Sequence, residues 1–204
     1  MQDTEQAILR RIRGSGKGWC FTPTDFADLG EPPAVWTALH RLTQRSIIRR
    51  LAQGLYDFPK THAELGTLSP DPEAVARAVA RGRSIRVQPA GAYAANLLGL
   101  SEQVPARIVF LTDGAPRRIR FENQEIVLRR TTPRNMETAG RISGTVIQAL
   151  RYIRKERITP AHRQTLARRL NAAEKKQLFK DRLYAPDWMR RLLAEISGEG
   201  GAHA

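Results

Sequence analysis

The spacing of apolar side chains over the first thirty residues predicts two helices with a short strand between them. Ile8 and Ile12 are one helical turn apart, which favours a first helix over Thr4–Arg13. Trp19–Phe21 is a short apolar run typical of a strand. Thr22 then offers an N-cap, followed by a proline at the first helical position, and this pattern predicts a short helix ending at Leu29.

A third helix and a β-hairpin follow. The third helix is expected over Ala34–Arg45, where one face is apolar. The residues of that face are Val35, Ala38, Leu39 and Leu42. Strands over Ser46–Ala52 and Leu55–Phe58 flank the turn formers Gln53 and Gly54. Helix, strand, helix, helix and hairpin is the element order of a winged helix-turn-helix.

The remaining chain predicts a larger mixed α/β domain that ends in helices. Strand patterns at 85–87, 108–112, 118–121 and 126–130 accompany helical patterns at 73–81 and 90–98. After Ala139 the spacing of Ile142, Val146, Ala149 and Ile153 is helical, and helices are expected at 160–170, 173–183 and 186–196. The predicted fold class is α+β. Its predicted parts are a winged helix at 1–60, a linker at 61–70, an α+β domain at 71–197 and a flexible tail at 198–204.

Charge narrows the class of partner. The 204 residues hold 34 Lys and Arg against 20 Asp and Glu, giving a net charge of +14. Such an excess indicates a polyanion, nucleic acid before any other, although a merely solvated basic surface gives the same composition. Cys20 is the single cysteine, so a disulfide within the chain is excluded and a buried, small apolar role is expected. The chain has no apolar run of membrane-spanning length, and a cytoplasmic, nucleoid-associated protein without membrane contact is expected.

The polar side of the third helix and the hairpin supply the candidate DNA contacts. Side chains of these types reach base edges and phosphates when a helix enters the major groove and a wing lies on the backbone. The candidates are Thr37, His40, Arg41, Gln44, Arg45, Arg49, Arg50, Gln53 and Tyr56. The alternative is a helix that packs on a neighbouring element and has a solvated outer face. Trp36 fits a core position and a DNA contact equally well.

Motifs for catalysis or metal binding are not apparent. Gly14–Gly18 lacks the spacing of a phosphate loop, and the four histidines share no metal-ligand spacing. Asp113, Glu122 and Glu125 suggest a metal-dependent nuclease only weakly, because neither glutamate has a lysine two residues later. The sequence therefore predicts a protein that is not an enzyme and that uses no cofactor or metal.

Three stretches resemble the AbiEi-type antitoxins, transcriptional regulators of type IV toxin–antitoxin pairs in bacterial abortive infection. They are ALHRLTQRSIIRRLAQGLYDFPK (38–60), QPAGAYAANLLGLSEQVPARIVFLTDG (88–114) and VIQALRYI (146–153). The resemblance implies a winged helix that binds inverted repeats in its own promoter. Because half-sites come in pairs, two protomers per operator are also expected, by self-association or side-by-side loading on the DNA. It also implies a second domain that opposes a nucleotidyltransferase-like toxin without a stable complex.

The second domain carries a further candidate surface. The alanines of 90–98 favour close packing of that helix on a sheet, and its polar side chains are candidates for recognising a partner or RNA. Together with cations further along the chain, the candidates are Tyr93, Asn96, Ser101, Gln103, Arg151, Arg154 and Lys155. An RNA- or tRNA-binding protein that uses the basic C-terminal helices is the alternative function.

Overall fold

The structure, a computed structural model, describes residues 2–122 and 124–199. The chain divides into two compact units. Unit 1 comprises Met1–Ile85 and Ile119–Ile126, and unit 2 comprises Arg86–Arg118 and Val127–Ala204. Unit 1 is thus longer than the predicted domain at 1–60. It also contains a second, separate segment of the chain, Ile119–Ile126.

The elements of unit 1 follow the predicted order, with ends shifted by a few residues. They are α1 (Gln2–Ser15), β1 (Cys20–Phe21), a 3₁₀ turn (Pro23–Phe26), α2 (Pro32–Gln44), β2 (Arg49–Ala52), β3 (Leu55–Asp57), β4 (Thr61–His62), β5 (Gly66–Thr67) and α3 (Pro72–Arg83). Strands β1 and β2 both pair antiparallel with the central β3. The helix expected through Leu29 is a single 3₁₀ turn, in which the Asp25 carboxylate accepts a 2.8 Å hydrogen bond from the Thr22 N–H.

The core of unit 1 combines aliphatic side chains from α1 and α2 with aromatic rings from β1, β3 and the 3₁₀ turn. The apolar face predicted for the third helix is buried as expected. The Phe21 ring lies 5.4 Å from that of Phe26 and 6.0 Å from that of Tyr56, between ring centroids. Cys20 is also buried, as predicted. Since the apolar face of α2 points inward, its polar face is left to the surface.

The predicted linker and the helix after it belong to unit 1. Thr61–Thr67 forms the small β4–β5 hairpin, and the Asp71 carboxylate caps α3 by accepting hydrogen bonds from the first-turn N–H groups. Arg81 of α3 donates to the Asp25 carboxylate at 3.1 Å and to the Cys20 carbonyl at 2.8 Å. These hydrogen bonds attach α3 to the β1 region of unit 1. The boundary between the two units therefore follows Ile85, beyond the predicted start of the second domain at residue 71.

Beyond Arg86 a strand and a short helix are followed by three strands, and the chain then becomes helical. The elements are β6 (Val87–Ala90), α4 (Gly91–Leu97), β7 (Arg107–Thr112), β8 (Arg117–Phe121), β9 (Gln124–Arg130), α5 (Pro133–Met136), α6 (Ile142–Ile153), α7 (Pro160–Arg169), α8 (Ala172–Asp181) and α9 (Asp187–Ser197). Short 3₁₀ turns follow α6 and α8. The strand order is β6-β7-β9-β8, with β6 and β7 antiparallel from the pair Val87 and Thr112 to the pair Ala90 and Val109.

The core of unit 2 is built around α6. Val146 and Ala149 of the predicted stripe are fully buried, and Ile142 and Ile153 pack against the same cluster. Gly144 permits a close approach, because an added Cβ would collide with the Thr138 carbonyl oxygen and the Gln88 side chain. This contact brings α6 against β6.

The predicted α+β class is confirmed, whereas the winged-helix assignment stays a prediction. The tail expected at 198–204 lies outside the described residues except for Gly198 and Glu199. Within the described ranges, every helix is too short or too polar to cross a lipid bilayer.

Candidate nucleic-acid interface

Helix α2 exposes a polar stripe on the side opposite its buried face. Thr37, His40 and Gln44 are three to four residues apart, which aligns them along one side of a helix, and all three are exposed. The Thr37 hydroxyl donates to the Pro33 carbonyl at 2.9 Å, so it is turned back onto its own helix. His40 and Gln44 thus offer the outward-pointing hydrogen-bonding groups of this stripe.

Two arginines flank the stripe and share one carboxylate. Arg45 forms an ion pair with Glu5 of α1, and Nη1 of Arg41 lies 3.8 Å from the second Glu5 oxygen. Glu5 is only 9% exposed. With Gln6 and Gln44, these residues line an open cleft of about 600 Å³. Because two cations share one anion, this flank keeps a net positive charge.

Trp36 lies on the surface at the other flank, 46% exposed. Its Cη2 atom is 3.9 Å from the position that a Cβ on Gly54 would occupy. Gly54 has a φ of +68°, a conformation that suits glycine in a tight turn. The indole therefore joins the helix surface to the hairpin turn, where Gln53 is also exposed.

The two hairpin arginines have different surroundings. Arg50 is exposed, whereas Arg49 donates to the Asp57 carboxylate at 2.8 and 3.1 Å, to the Leu68 carbonyl at 3.0 Å and to Glu122 at 2.8 Å. The hydrogen bonds to Asp57 raise the pKa of Arg49 above its ordinary value. Arg49, predicted as a DNA contact, is therefore bound to partners within unit 1 and differs from Arg50 in this respect.

Tyr56, another predicted DNA contact, lies in the core of unit 1. It is 5% exposed, and its ring is stacked on Phe21. The reason is its position in β3, the central strand, which pairs on both edges and packs into the core.

The polar patch expected around α4 is not assembled as predicted. Tyr93 is 7% exposed and lies 5.5 Å from Phe110 between ring centroids, so it is a buried residue and not part of an exposed patch. Asn96 donates to the Ser101 carbonyl at 3.2 Å, and the Ser101 hydroxyl accepts from the Gln103 N–H at 3.3 Å. These hydrogen bonds stabilise the turn after α4. The helix itself packs on the sheet and on α6.

Arg151, Arg154 and Lys155 do lie together, around an open cleft of about 570 Å³ at the end of α6. Glu156, Pro186 and Trp188 complete its lining. Trp188 is not among the predicted site residues, because the sequence pattern of an amphipathic helix does not distinguish a tryptophan at a ligand site from one in the core.

Glu5 was also missed, since nothing in the sequence pattern joins it to Arg41 and Arg45. Among the described residues, no group of three or more His, Cys, Asp and Glu side chains is placed to hold a metal ion. Burial and the nearby Asp57 raise the pKa of the Cys20 thiol to about 12, so it is protonated at neutral pH.

The chain belongs to DUF6088, a family of unknown function, whose model matches residues 7–178. No curated protein matches it. A similar solved structure is that of the RV2827C protein from Mycobacterium tuberculosis, at 16% identity and a TM-score of 0.42, over 90% of this chain and 72% of that one. A likeness of this degree carries no argument about function.

Proposed function

We propose that the chain is a winged-helix transcriptional autorepressor that also acts as the antitoxin of a type IV toxin–antitoxin pair. The observation that carries the DNA-binding part is the exposed stripe of α2, flanked by cations and bordered by the turn of a hairpin. The antitoxin part rests on the resemblance of three stretches of sequence to AbiEi-type regulators.

The dimensions and chemistry of this surface suit duplex DNA. An α-helix fits the major groove, where His40 and Gln44 have the donors and acceptors that discriminate base edges. Thr37 keeps an acceptor oxygen on the same stripe. Arg41, Arg45 and Arg50 supply cations at its margins, where phosphates pass on either side of the groove. Trp36 and Gln53 extend the surface toward the hairpin turn.

Binding to inverted repeats requires two copies of the chain on each operator, by dimerisation or by side-by-side loading. Opposition to the toxin would then use a different region, in unit 2, without a stable complex. Separate regions for the two activities make them separable by mutation.

The DNA-binding part is tested with a duplex that carries the inverted repeat upstream of the gene and with a scrambled duplex. We expect a strong preference for the operator and a linear fall of log affinity with log salt. His40→Ala should reduce the preference about tenfold, the order of magnitude of a lost base contact. Arg41→Ala should weaken binding to both duplexes and lower the salt slope by about 1.

Arg130→Ala, an exposed arginine of unit 2, is the control and should change neither quantity. Equal affinity of the native chain for operator and scrambled duplex would reject sequence-specific repression. A footprint over a single half-site would reject the paired arrangement.

The antitoxin part is tested by co-expression with a nucleotidyltransferase encoded beside the gene. Growth should be restored, and His40→Ala should still restore it. If the native chain leaves the toxin fully active, the antitoxin proposal fails while the repressor proposal stands.

A further inference from the structure

The cleft at the end of α6 combines three cations with an aromatic side chain. Arg151, Arg154 and Lys155 line one part of it, and Trp188 with Pro186 lines another. Glu156 is the carboxylate among its lining residues. The cationic groups outnumber the anionic one within the cleft, so its field favours an anion.

Arg151 is held in this cleft without a charge partner among the described residues. Its Nη1 donates to the Asn135 amide oxygen at 2.8 Å, a neutral acceptor. Its Nε is buried and lacks a hydrogen-bond acceptor. Burial and the nearby Arg134 lower the pKa of Arg151. A guanidinium in such surroundings gains more from an incoming anion than one that already holds a carboxylate.

Arg154 adds a backbone observation. Its φ of +69° and ψ of 151° fall in a region that only glycine adopts readily. A non-glycine residue there has a strained backbone. The carboxyl end of α6 carries a partial negative charge, which explains why a cation is favourable at this position. It does not explain a strained backbone or a buried, unpaired Nε.

We propose that this cleft binds a nucleotide unit, with its phosphate held by Arg151, Arg154 and Lys155 and its base against Trp188. Arginine donors match phosphate oxygens, and base–indole stacking is the contact that single-stranded nucleic-acid sites use. The Glu156 carboxylate provides an acceptor for a ribose hydroxyl or an exocyclic amine. The ligand is either a free nucleotide or a nucleotide within single-stranded RNA, since both present this chemistry. The site lies in unit 2 and does not depend on the proposed DNA-binding surface.

The test uses the full chain at 0.15 M salt and measures dissociation constants by calorimetry. The probes are the four nucleoside 5′-monophosphates, a single-stranded RNA octamer, the DNA octamer of the same sequence and inorganic phosphate. Binding of a monophosphate would identify the ligand of the cleft as a free nucleotide, whereas binding of the RNA octamer alone would identify it as a segment of RNA. Arg154→Gln/Lys155→Gln should raise the dissociation constant of the bound probe at least tenfold.

The matched control is Arg129→Gln/Arg130→Gln, which removes two adjacent exposed arginines elsewhere in unit 2. It should change the affinity less than twofold. Arg154→Gly separates binding from folding, because glycine suits the local φ; it should lose affinity while its melting temperature stays equal to or above that of the native chain. Trp188→Phe keeps an aromatic side chain in the partly buried position. It should weaken the binding of nucleotides but not that of inorganic phosphate.

Three outcomes would overturn the proposal. One is the absence of binding by every probe. Another is an equal loss of affinity in the cleft variant and in the control, which would indicate only diffuse attraction to a basic surface. The last is inorganic phosphate binding as tightly as the nucleotides and the RNA, which would remove the role of the base.

Discussion

Arg49 in unit 1 and Arg151 in unit 2 are both partly buried, yet their partners are opposite in kind. Arg49 binds Asp57, which is 1% exposed, and also Glu122 and a carbonyl oxygen. Arg151 binds the amide oxygen of Asn135 and has Arg134 as its charged neighbour. The pKa of Arg49 is raised, and that of Arg151 is lowered.

The contrast separates a structural cation from one that is available to a ligand. At Arg49 the protein supplies the counter-charge, so the guanidinium fixes the base of the hairpin and has little left to offer DNA. At Arg151 the described part of the chain supplies burial without a counter-charge, which leaves the cost of desolvation to be offset by a bound anion. Burial alone does not distinguish these roles, whereas the identity of the partners does.

The largest expected effect comes from breaking the structural pair. Asp57→Ala leaves Arg49 partly buried without its main partner and should lower the free energy of unfolding by about 3 kcal/mol. Urea denaturation measures this loss. The double variant Arg49→Met/Asp57→Leu removes both charges and should recover most of the stability. If the single variant is as stable as the native chain, the pair does not hold the hairpin.

The shared carboxylate Glu5 is an intermediate case and should give a smaller effect. Glu5→Gln removes the anion that Arg41 and Arg45 share, so both gain freedom to meet phosphates and a repulsive charge is lost. Affinity for duplex DNA should rise about threefold to tenfold, with a steeper salt slope. Fluorescence anisotropy titrations at several salt concentrations measure both. The control Glu102→Gln, an exposed glutamate of unit 2, should leave them unchanged; a weaker affinity in Glu5→Gln would contradict the proposed interface.

Removing the charge of Arg151 should change the stability of the fold only slightly. Arg151→Met keeps the aliphatic stem and deletes a partly buried charge that has no counter-ion among the described residues, so the free energy of unfolding should change by less than about 1 kcal/mol. Thermal denaturation measures this, and calorimetry with the probe bound by the native chain should show lost affinity. A loss of stability as large as that of Asp57→Ala would place Arg151 among the structural cations.

An exposed pair should give the smallest effect, visible only in acid. Arg11 donates to both oxygens of Asp28 at 2.6 and 2.7 Å, and this holds the pKa of Asp28 at about 2, below its ordinary 3.8. The folded-state pKa is depressed, so the pair stabilises the fold above pH 4 and this contribution is lost as the pH falls toward 2. Asp28→Asn should flatten the fall of stability across that window, measured by urea denaturation at each pH. Glu64→Gln is the exposed control; an unchanged pH profile in Asp28→Asn would show that the pair contributes nothing.

Local patterns predicted most helices and strands correctly. The buried face of α2, the stripe of α6 and the β2–β3 turn all follow from residue spacing, because a helix or hairpin needs only neighbouring residues to define it. The β4–β5 hairpin was missed, since its strands are two residues long and exposed. Among the predicted DNA contacts, His40, Arg41, Gln44 and Arg50 are exposed, whereas Arg49 is ion-paired and Tyr56 is buried.

The sequence by itself determined the α+β class, the order of the elements in the first sixty residues and the basic character of the chain. Only the tertiary structure decided which cations are neutralised. Glu5 meets Arg45 across 40 positions, and Glu122 meets Arg49 across 73. Spacing along a chain specifies which face of an element is polar, but the partner of a charged side chain depends on contacts between elements that are distant in sequence.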